Sequence, residues 1–506
     1  MQPHDFHAHS SHASFDGGDL DCGNGLLLLI RKHLDPLAPG QLLEIRSRES
    51  SVEEDLPAWA RLTGNELVSF VKHGNERSFL VSKGKFSSAQ PQTAKVAQAR
   101  PEPAIRTEAP SPAPSLVQPL PRFSMMGIGS WPRPRWMLQA VHEYLEGRLA
   151  EDEFQQTAND AVRLAVAAQE RAGVDVLTDG EQRRDTYASF VGSRLDNCQL
   201  VPLTDLLPYV DDPQHFAEEL RSLDVPADSV RHPAVFGRLK RTRPLAVHEA
   251  RFLRGISRLP IKIALPGPYL LTRTMWLECV SERVYHRRED LAADLIRILR
   301  EEIAELLAEG VALIQLDEPI LTEVVYGRSA RKRSFMCGAL GEKLDTESEL
   351  AFAGDLMRQV CEGFPRGRLA MHVCRGNWSR DESVALQGDY RPLLPLLKAA
   401  PVGTLFLELC TPRAGEMDVL RDIPSDIRIG VGVSNPKSDA AEAEDRIIFA
   451  AEHAVAAFGP DRVFLNPDCG FATFADSPVA SAAVAEAKLA VIARAARRLR
   501  EKYATR

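Results

Sequence analysis

The sequence predicts an α/β protein in two parts: a (β/α)8 TIM barrel over residues 122–506, preceded by a small α/β two-layer sandwich domain over residues 18–85. Three observations lead there. Short β-branched or apolar runs alternate eight times with longer stretches of helical apolar spacing, the pattern of parallel strands wound with helices. Most of these runs end in polar residues, as strands do when they open onto a loop face. Between the two parts, residues 86–121 are rich in Pro, Ala, Gln and Ser without apolar periodicity and read as an extended linker.

Taken in order, residues 1–17 read as a disordered polar tail carrying His4, His7, His9 and His12, with nothing apolar nearby to fix a metal geometry. The small domain reads as a helix from GLLLLIRKHLDPL, a strand from QLLEIRSRES, a helix from EEDLPAWARLTG and two strands from ELVSFVKHG and RSFLVSKG. The barrel strands are expected in SMMGIGS (124–130), VDVLTDG (174–180), IKIALPGP (261–268), ALIQLDEP (312–319), RLAMHVC (368–374), TLFLEL (404–409), IRIGVGV (427–433) and RVFLNPDCG (462–470). Helices between them include EFQQTANDAVRLAVAAQERAG, LAADLIRILREEIAELLAEG and AEDRIIFAAEHAVAAFG, each closed by a glycine. Extra chain between the second and third strands, including PAVFGRLKRTRPLAVHE, is expected as a hairpin outside the ring.

Composition bounds the function classes. With 44% apolar and 26% charged residues the chain can bury a large core. Its net charge of −8 and pI near 6.0 give no overall basic surface for nucleic acid or anionic lipid. No apolar run reaches the roughly 20 residues that span a bilayer, and the polar N-terminus lacks the plan of a signal peptide, so a cytoplasmic location is expected. Eight cysteines with no CxxC pair fit reduced thiols.

Barrel chemistry gathers at the C-terminal ends of the strands. Ser130 closes the first run, Asp179 and Glu181 the second, Asp317 and Glu318 the fourth, His372 and Cys374 the fifth, Glu408 the sixth, and Asp468 and Cys469 the eighth. Strand residues alternate faces, so His372 and Cys374 point the same way while Val373 points oppositely. With Glu408 and Cys469 they make a plausible tetrahedral zinc set of one nitrogen, two sulfurs and a carboxylate. A plainer reading stands beside it, in which Glu408 pairs with a helix arginine and Cys469 fills space behind a tight Gly470 turn. Two thiolate ligands suit attack by a zinc-bound substrate thiolate on an activated alkyl group better than they suit hydrolysis.

At these residues the large part resembles the catalytic barrel of cobalamin-independent methionine synthase, through GIGSWPR (127–133), TDGEQRRD (178–185), LPGPYLL (265–271), IQLDEPIL (314–321), HVCRGNW (372–378), LFLEL (405–409) and NPDCGF (466–471). HVCRGN looks most like the short, single-barrel members. The resemblance implies zinc on His372, Cys374, Glu408 and Cys469, and the amino acid part of homocysteine on Ile128, Ser130, Glu181 and Asp317. It implies a methyltransferase that makes methionine, with a methylfolate or a methylated carrier as donor. Two departures touch the donor. The family's GVxDxHS reads GVGVSNPK (430–437) here, without its histidine, which leaves Asp468, Asn435 or Lys437 as candidates for the acid. The third-strand loop GPYLLTRTMW lacks the family tryptophan at the matched place, with Trp276 two residues on.

The small part resembles sulfur-carrier domains of the TusA/SirA type, through LDCGNGLLLLIRKHL, PGQLLEI, EEDLPAWARLTGNELVS and FLVSKG. That family carries persulfide on the cysteine of a CPxP motif. Here the stretch reads CGNGLL, and Cys22 is the sulfur-carrier candidate, with a sulfur-relay protein as its implied partner. Two alternatives to homocysteine methylation follow: zinc-dependent alkyl transfer to another thiol, coenzyme-M-like or epoxide-opening, and a sulfur-relay or binding role through Cys22.

Overall fold

The eight runs of the large part close into a ring. In this computed structural model, residues 7–21, 25–86, 112–202, 231–276, 281, 284–327, 345–377, 380–382, 385–415, 417–472 and 479–504 are described. The chain divides into two compact units, Met1–Pro110 with Glu278–Val284, and Ser111–Leu277 with Tyr285–Arg506.

The first unit holds β1 (Ala13–Asp16), α1 (Leu26–Leu34), β2 (Leu42–Ser47), α2 (Val52–Leu62), β3 (Glu66–His73) and β4 (Glu76–Ser82). Its sheet runs β1-β2-β4-β3, with β1 parallel to β2 and the other pairs antiparallel. Leu26, Leu28, Leu29, Ile30 and Leu34 of α1 and Val52, Leu56 and Ala60 of α2 are buried and supply the second layer. β1 corrects the expectation of a disordered tail over residues 1–17. Phe15 is the buried residue of β1, and it stacks on His33 at 4.7 Å. What orders the segment is pairing with a strand far along the chain: His12 N–H donates to Leu42 O at 2.7 Å, and His7 lies 2.8 Å from both Ser69 Oγ and Ser78 Oγ. His4 and Cys22 lie outside the described residues.

In the second unit, β7 (Lys262–Pro266), β8 (Leu313–Asp317), β9 (Leu369–Val373), β10 (Thr404–Leu407), β11 (Arg428–Ser434) and β12 (Val463–Pro467) form a parallel sheet in sequence order. The first two expected strands are shorter than their sequences suggest. They appear as parallel bridges, Met125 to Leu465, Met126 to Val176, and Leu177 to Ile261, and these complete the ring between β12 and β7. Helices α3 (Arg135–Leu145), α4 (Glu151–Ala172), α5 (Val247–Ile256), α6 (Pro268–Met275), α7 (Arg288–Ala308), α8 (Ile320–Tyr326), α9 (Thr346–Cys361), α10 (Leu394–Ala399), α11 (Glu444–Phe458) and α12 (Ala482–Tyr503) alternate with the strands. α4 ends as expected at Gly173, whose φ of 83° takes the left-handed turn that a side chain resists. The expected hairpin is present as β5 (Leu195–Pro202) against β6 (Arg231–Arg241), antiparallel.

Residues 112–121, read from sequence as linker, lie against the barrel. Ser115 N–H donates to Leu307 O at 3.1 Å, Arg368 donates to Ser115 O at 2.7 Å, and Leu120 packs on the interior cluster of Met126, Ile128, Val176, Leu313, Ala370, Phe406 and Phe464. Among the described residues no helix is long and apolar enough to cross a membrane, and the five described cysteines form no disulfide.

Candidate active site at the barrel mouth

Parallel register places the polar strand ends at one level. Asp317 of β8 pairs with His372 of β9, and Val373 pairs with Leu407 of β10, so one further residue brings Cys374 and Glu408 level. His372 Nδ1 lies 3.1 Å from Asp317 Oδ1, while His372 Nε2 is buried with no hydrogen-bond partner. Cys374 Sγ lies 3.6 Å from Cys469 Sγ, which arrives from the loop after β12. The chain turns sharply after Cys374 at Gly376, whose φ is 88° and whose N–H donates back to Cys374 Sγ at 3.3 Å.

These contacts set the charge on the thiols. A hydrogen bond from the Cys469 thiol, helped by His372 and two backbone N–H groups, holds Cys374 well below the ordinary thiol range against its burial. The same bond and burial push Cys469 up. At His372 burial works against the charged ring, but the bond to Asp317 together with the negative charges of Asp317 and Cys374 outweighs it and raises the pKa.

Glu408 is completely buried and surrounded by donors: the Arg375 N–H at 2.8 Å, the Asn377 amide, and Arg413 at 3.1 Å. Burial raises its pKa, with Cys374 and Asp468 adding to the effect. Among the described residues no three His, Cys, Asp or Glu side chains stand together as a group ready to hold a metal ion. The thiol pair has formed; Glu408 is turned to its own donors, Arg413 among them, the buried arginine pairing that the plainer reading of the sequence held open.

The other expected residues surround the same mouth. Glu181 sits in a left-handed turn, φ 56°, after Gly180, with its N–H donated to Asp179 Oδ1 at 2.9 Å. Its carboxyl packs so closely on Gly129 that a Cβ there would meet Oε1 at 2.2 Å. Burial pushes Glu181 up to about 7, with Asp317 and Asp179 adding and Arg184 and Arg133 opposing. Ser130 borders the eighth loop: its carbonyl accepts from Phe471 N–H at 3.1 Å and its Oγ from Ala472 N–H at 3.2 Å. Ile128 belongs by its side chain to the barrel-interior cluster.

Asp468 Oδ1 accepts the N–H groups of Leu409 and Cys410, both at 3.0 Å, while Oδ2 is buried without a partner. Its pKa is raised by burial to about 6. Asn435 is turned away toward Glu382, to which its amide donates at 2.6 Å, and Lys437 donates to Asp381 O at 3.0 Å.

The sequence reading missed Lys262, Gln315, Arg375 and Arg413. A lone lysine inside IKIALP and an amide two residues before Asp317 were the available signals. Arg375 is fully buried beside Cys374, its guanidinium 4.5 Å from the Tyr390 ring centre. Glu318, noted from sequence at a strand end, instead caps α6, accepting from Tyr269 and Leu270 N–H at 2.8 and 2.9 Å.

Comparison with known proteins adds family to geometry. Residues 123–362 and 387–494 match the family model described as cobalamin-independent synthase, catalytic domain, and residues 25–83 match the model described as sulfurtransferase TusA. The methionine synthase of Saccharolobus solfataricus is 25% identical over 352 residues, covering 69% of this chain and 89% of the relative. That of Sulfolobus acidocaldarius is 26% identical over 344 residues, covering 68% and 84%. A B12-independent methionine synthase from Shewanella sp. W3-18-1, solved in complex with selenomethionine, shares the fold with a TM-score of 0.57 at 22% identity, covering 76% of this chain and 100% of that one. A putative vitamin-B12 independent methionine synthase from Listeria monocytogenes gives 0.54 at 20% identity, covering 76% and 99%.

Proposed function

The chain belongs to the cobalamin-independent synthase family by its catalytic domain, and from that premise we propose that it is a zinc-dependent methyltransferase converting homocysteine to methionine. The observation that carries the reading is the Cys374–Cys469 pair, 3.6 Å apart at the barrel mouth, with Cys374 on the same strand end as a histidine whose Nε2 is buried and unpartnered. The donor set fits zinc: two sulfurs at about 2.3 Å from a tetrahedral ion stand about 3.8 Å apart, and an imidazole lone pair with nothing to bind is a vacant ligand. His372, Cys374 and Cys469 would hold the ion, with Glu408 as the fourth ligand once it leaves its present donors. Zinc bound there supplies the acidity that keeps a substrate thiol as thiolate.

The remaining residues work on the amino acid. Asp317 and Glu181 offer carboxylates to its ammonium group, and charge-assisted bonds to two acids fix its orientation. Ser130 and the Ile128 backbone border the same space. Asp468 Oδ2 is the first candidate for the acid, since burial raises its pKa to about 6 and no partner occupies that oxygen. Asn435 is the second candidate. The methyl donor is a methylfolate or a methylated carrier. A persulfide role for Cys22 would add a sulfur-relay protein as partner.

Elemental analysis of the full chain and its His372→Ala and Cys469→Ser variants tests this. One zinc per chain, lost in both variants together with methionine formation, is the expected result; Cys469→Ser retaining full zinc and full activity would overturn the site.

A further inference from the structure

Below the thiol pair, the barrel interior holds a lysine that the proposed reaction does not use. Lys262 is fully buried, its ammonium 4.5 Å from the centre of the Phe406 ring. Burying a cation is costly unless it is paired or hydrogen-bonded, so its acceptor points to its task. That acceptor is Gln315 Oε1 at 2.7 Å; Gln315 Nε2 lies 2.7 Å from Asp317 Oδ1, and the same oxygen lies 3.1 Å from His372 Nδ1. All four side chains are buried, and they sit on three adjacent strands, β7, β8 and β9.

Donor and acceptor roles along this row are forced. A carboxylate only accepts, so Gln315 must turn its NH2 group to Asp317 and hence its oxygen to Lys262, which can donate to it as an ammonium or, since burial lowers its pKa to about 7, as an amine. An ionised carboxylate only accepts, so Asp317 offers His372 a lone pair and Nδ1 must carry the proton. In the neutral ring Nε2 is then a bare lone pair, and Nε2 is the atom left buried without a partner. Were the amide reversed, two acceptors would meet at Asp317.

We propose that Lys262 and Gln315 are positioning residues that act through Asp317 to hold His372 in the tautomer whose Nε2 is free to bind an ion. This rests on the zinc reading for its purpose, though not for its geometry. It gives Asp317 two tasks on separate atoms: Oδ1 takes both recorded bonds and locks the histidine, which leaves Oδ2 for the substrate ammonium. Because the row begins in packed strand rather than in a loop, the imidazole is oriented before any ion arrives, as outer-shell partners of metal-bound histidines do.

The test uses the full chain, freed of metal, with 15N-labelled histidine. The ring signals of His372 are assigned among the 13 histidines by their loss in His372→Gln, and spectra are taken from about pH 7 to about pH 10 so that the neutral ring is seen. Protonated Nδ1 with bare Nε2 is expected in the parent, and a mixture of tautomers in Gln315→Met and Lys262→Met. Chelator competition should show zinc held roughly 10–100-fold more weakly by both variants. A parent ring protonated on Nε2, or variants that keep both the parent tautomer and the parent zinc affinity, would overturn the proposal. If a variant fails to fold, the parent tautomer decides alone. A parent that binds no zinc yet shows the Nδ1–H tautomer sinks the zinc reading and leaves the positioning row standing.

Discussion

Glu181 carries a pH dependence whose sign follows from its burial. Its pKa is raised from the ordinary 4.5 to about 7, chiefly by loss of water. The folded chain therefore binds this proton more tightly than the unfolded chain, and stability falls as pH rises through the window from 4.5 to about 7. Glu181→Gln is expected to be more stable than the parent above pH 7, by ~1–3 kcal/mol, with the gap closing toward acid; urea denaturation across pH reads this out. Function runs the other way. In the proposed function an ionised Glu181 attracts the substrate ammonium, so KM for homocysteine should fall as pH rises through about 7, and Glu181→Gln should flatten that profile and raise KM roughly tenfold. At this scale the sequence was most legible where two residues share one strand. His372 and Cys374 face one way by alternation alone, whereas Lys262 and Gln315 find each other only across two strands.

Among the elements, the short segment before the barrel behaves as part of it. Arg368 donates to Ser115 O at 2.7 Å, to Val311 O at 3.0 Å and to Leu307 O at 3.0 Å, and so ties residues 112–115 to the start of β8 and the end of α7. Removing this buried guanidinium takes a donor from three carbonyls, of which Leu307 O keeps the Ser115 N–H. Arg368→Ala should therefore destabilise the barrel by ~2–4 kcal/mol while leaving zinc content per folded chain unchanged, as tryptophan-monitored unfolding and elemental analysis will show. Helices α4, α7 and α11 were legible because their apolar period and closing glycines are local properties. β1 was not, since its single inward phenylalanine means little until β2 lies beside it, and the first two barrel strands pair only as bridges.

For the whole molecule, the eight-position ring is what brings residues from 128 to 469 to one mouth. On the proposed function, a chain of residues 112–506 should keep one zinc and quench a cobalt-substituted site on adding homocysteine, because every proposed ligand and every proposed amine-binding residue lies within it. A chain beginning at 122 loses the Ser115 bonds and the Leu120 packing, and should unfold at lower urea. By itself the sequence determined the barrel, the small domain ahead of it, and the identity of the polar residues at the strand ends, because periodicity and turn chemistry are written along the chain. Tertiary structure decided which of those residues touch: the thiols at 3.6 Å, Glu408 turned to Arg413 and Asn377, and the row from Lys262 to His372. The reason is physical, since strand register and the competition for hydrogen bonds in a dry interior are set between elements and leave no local mark.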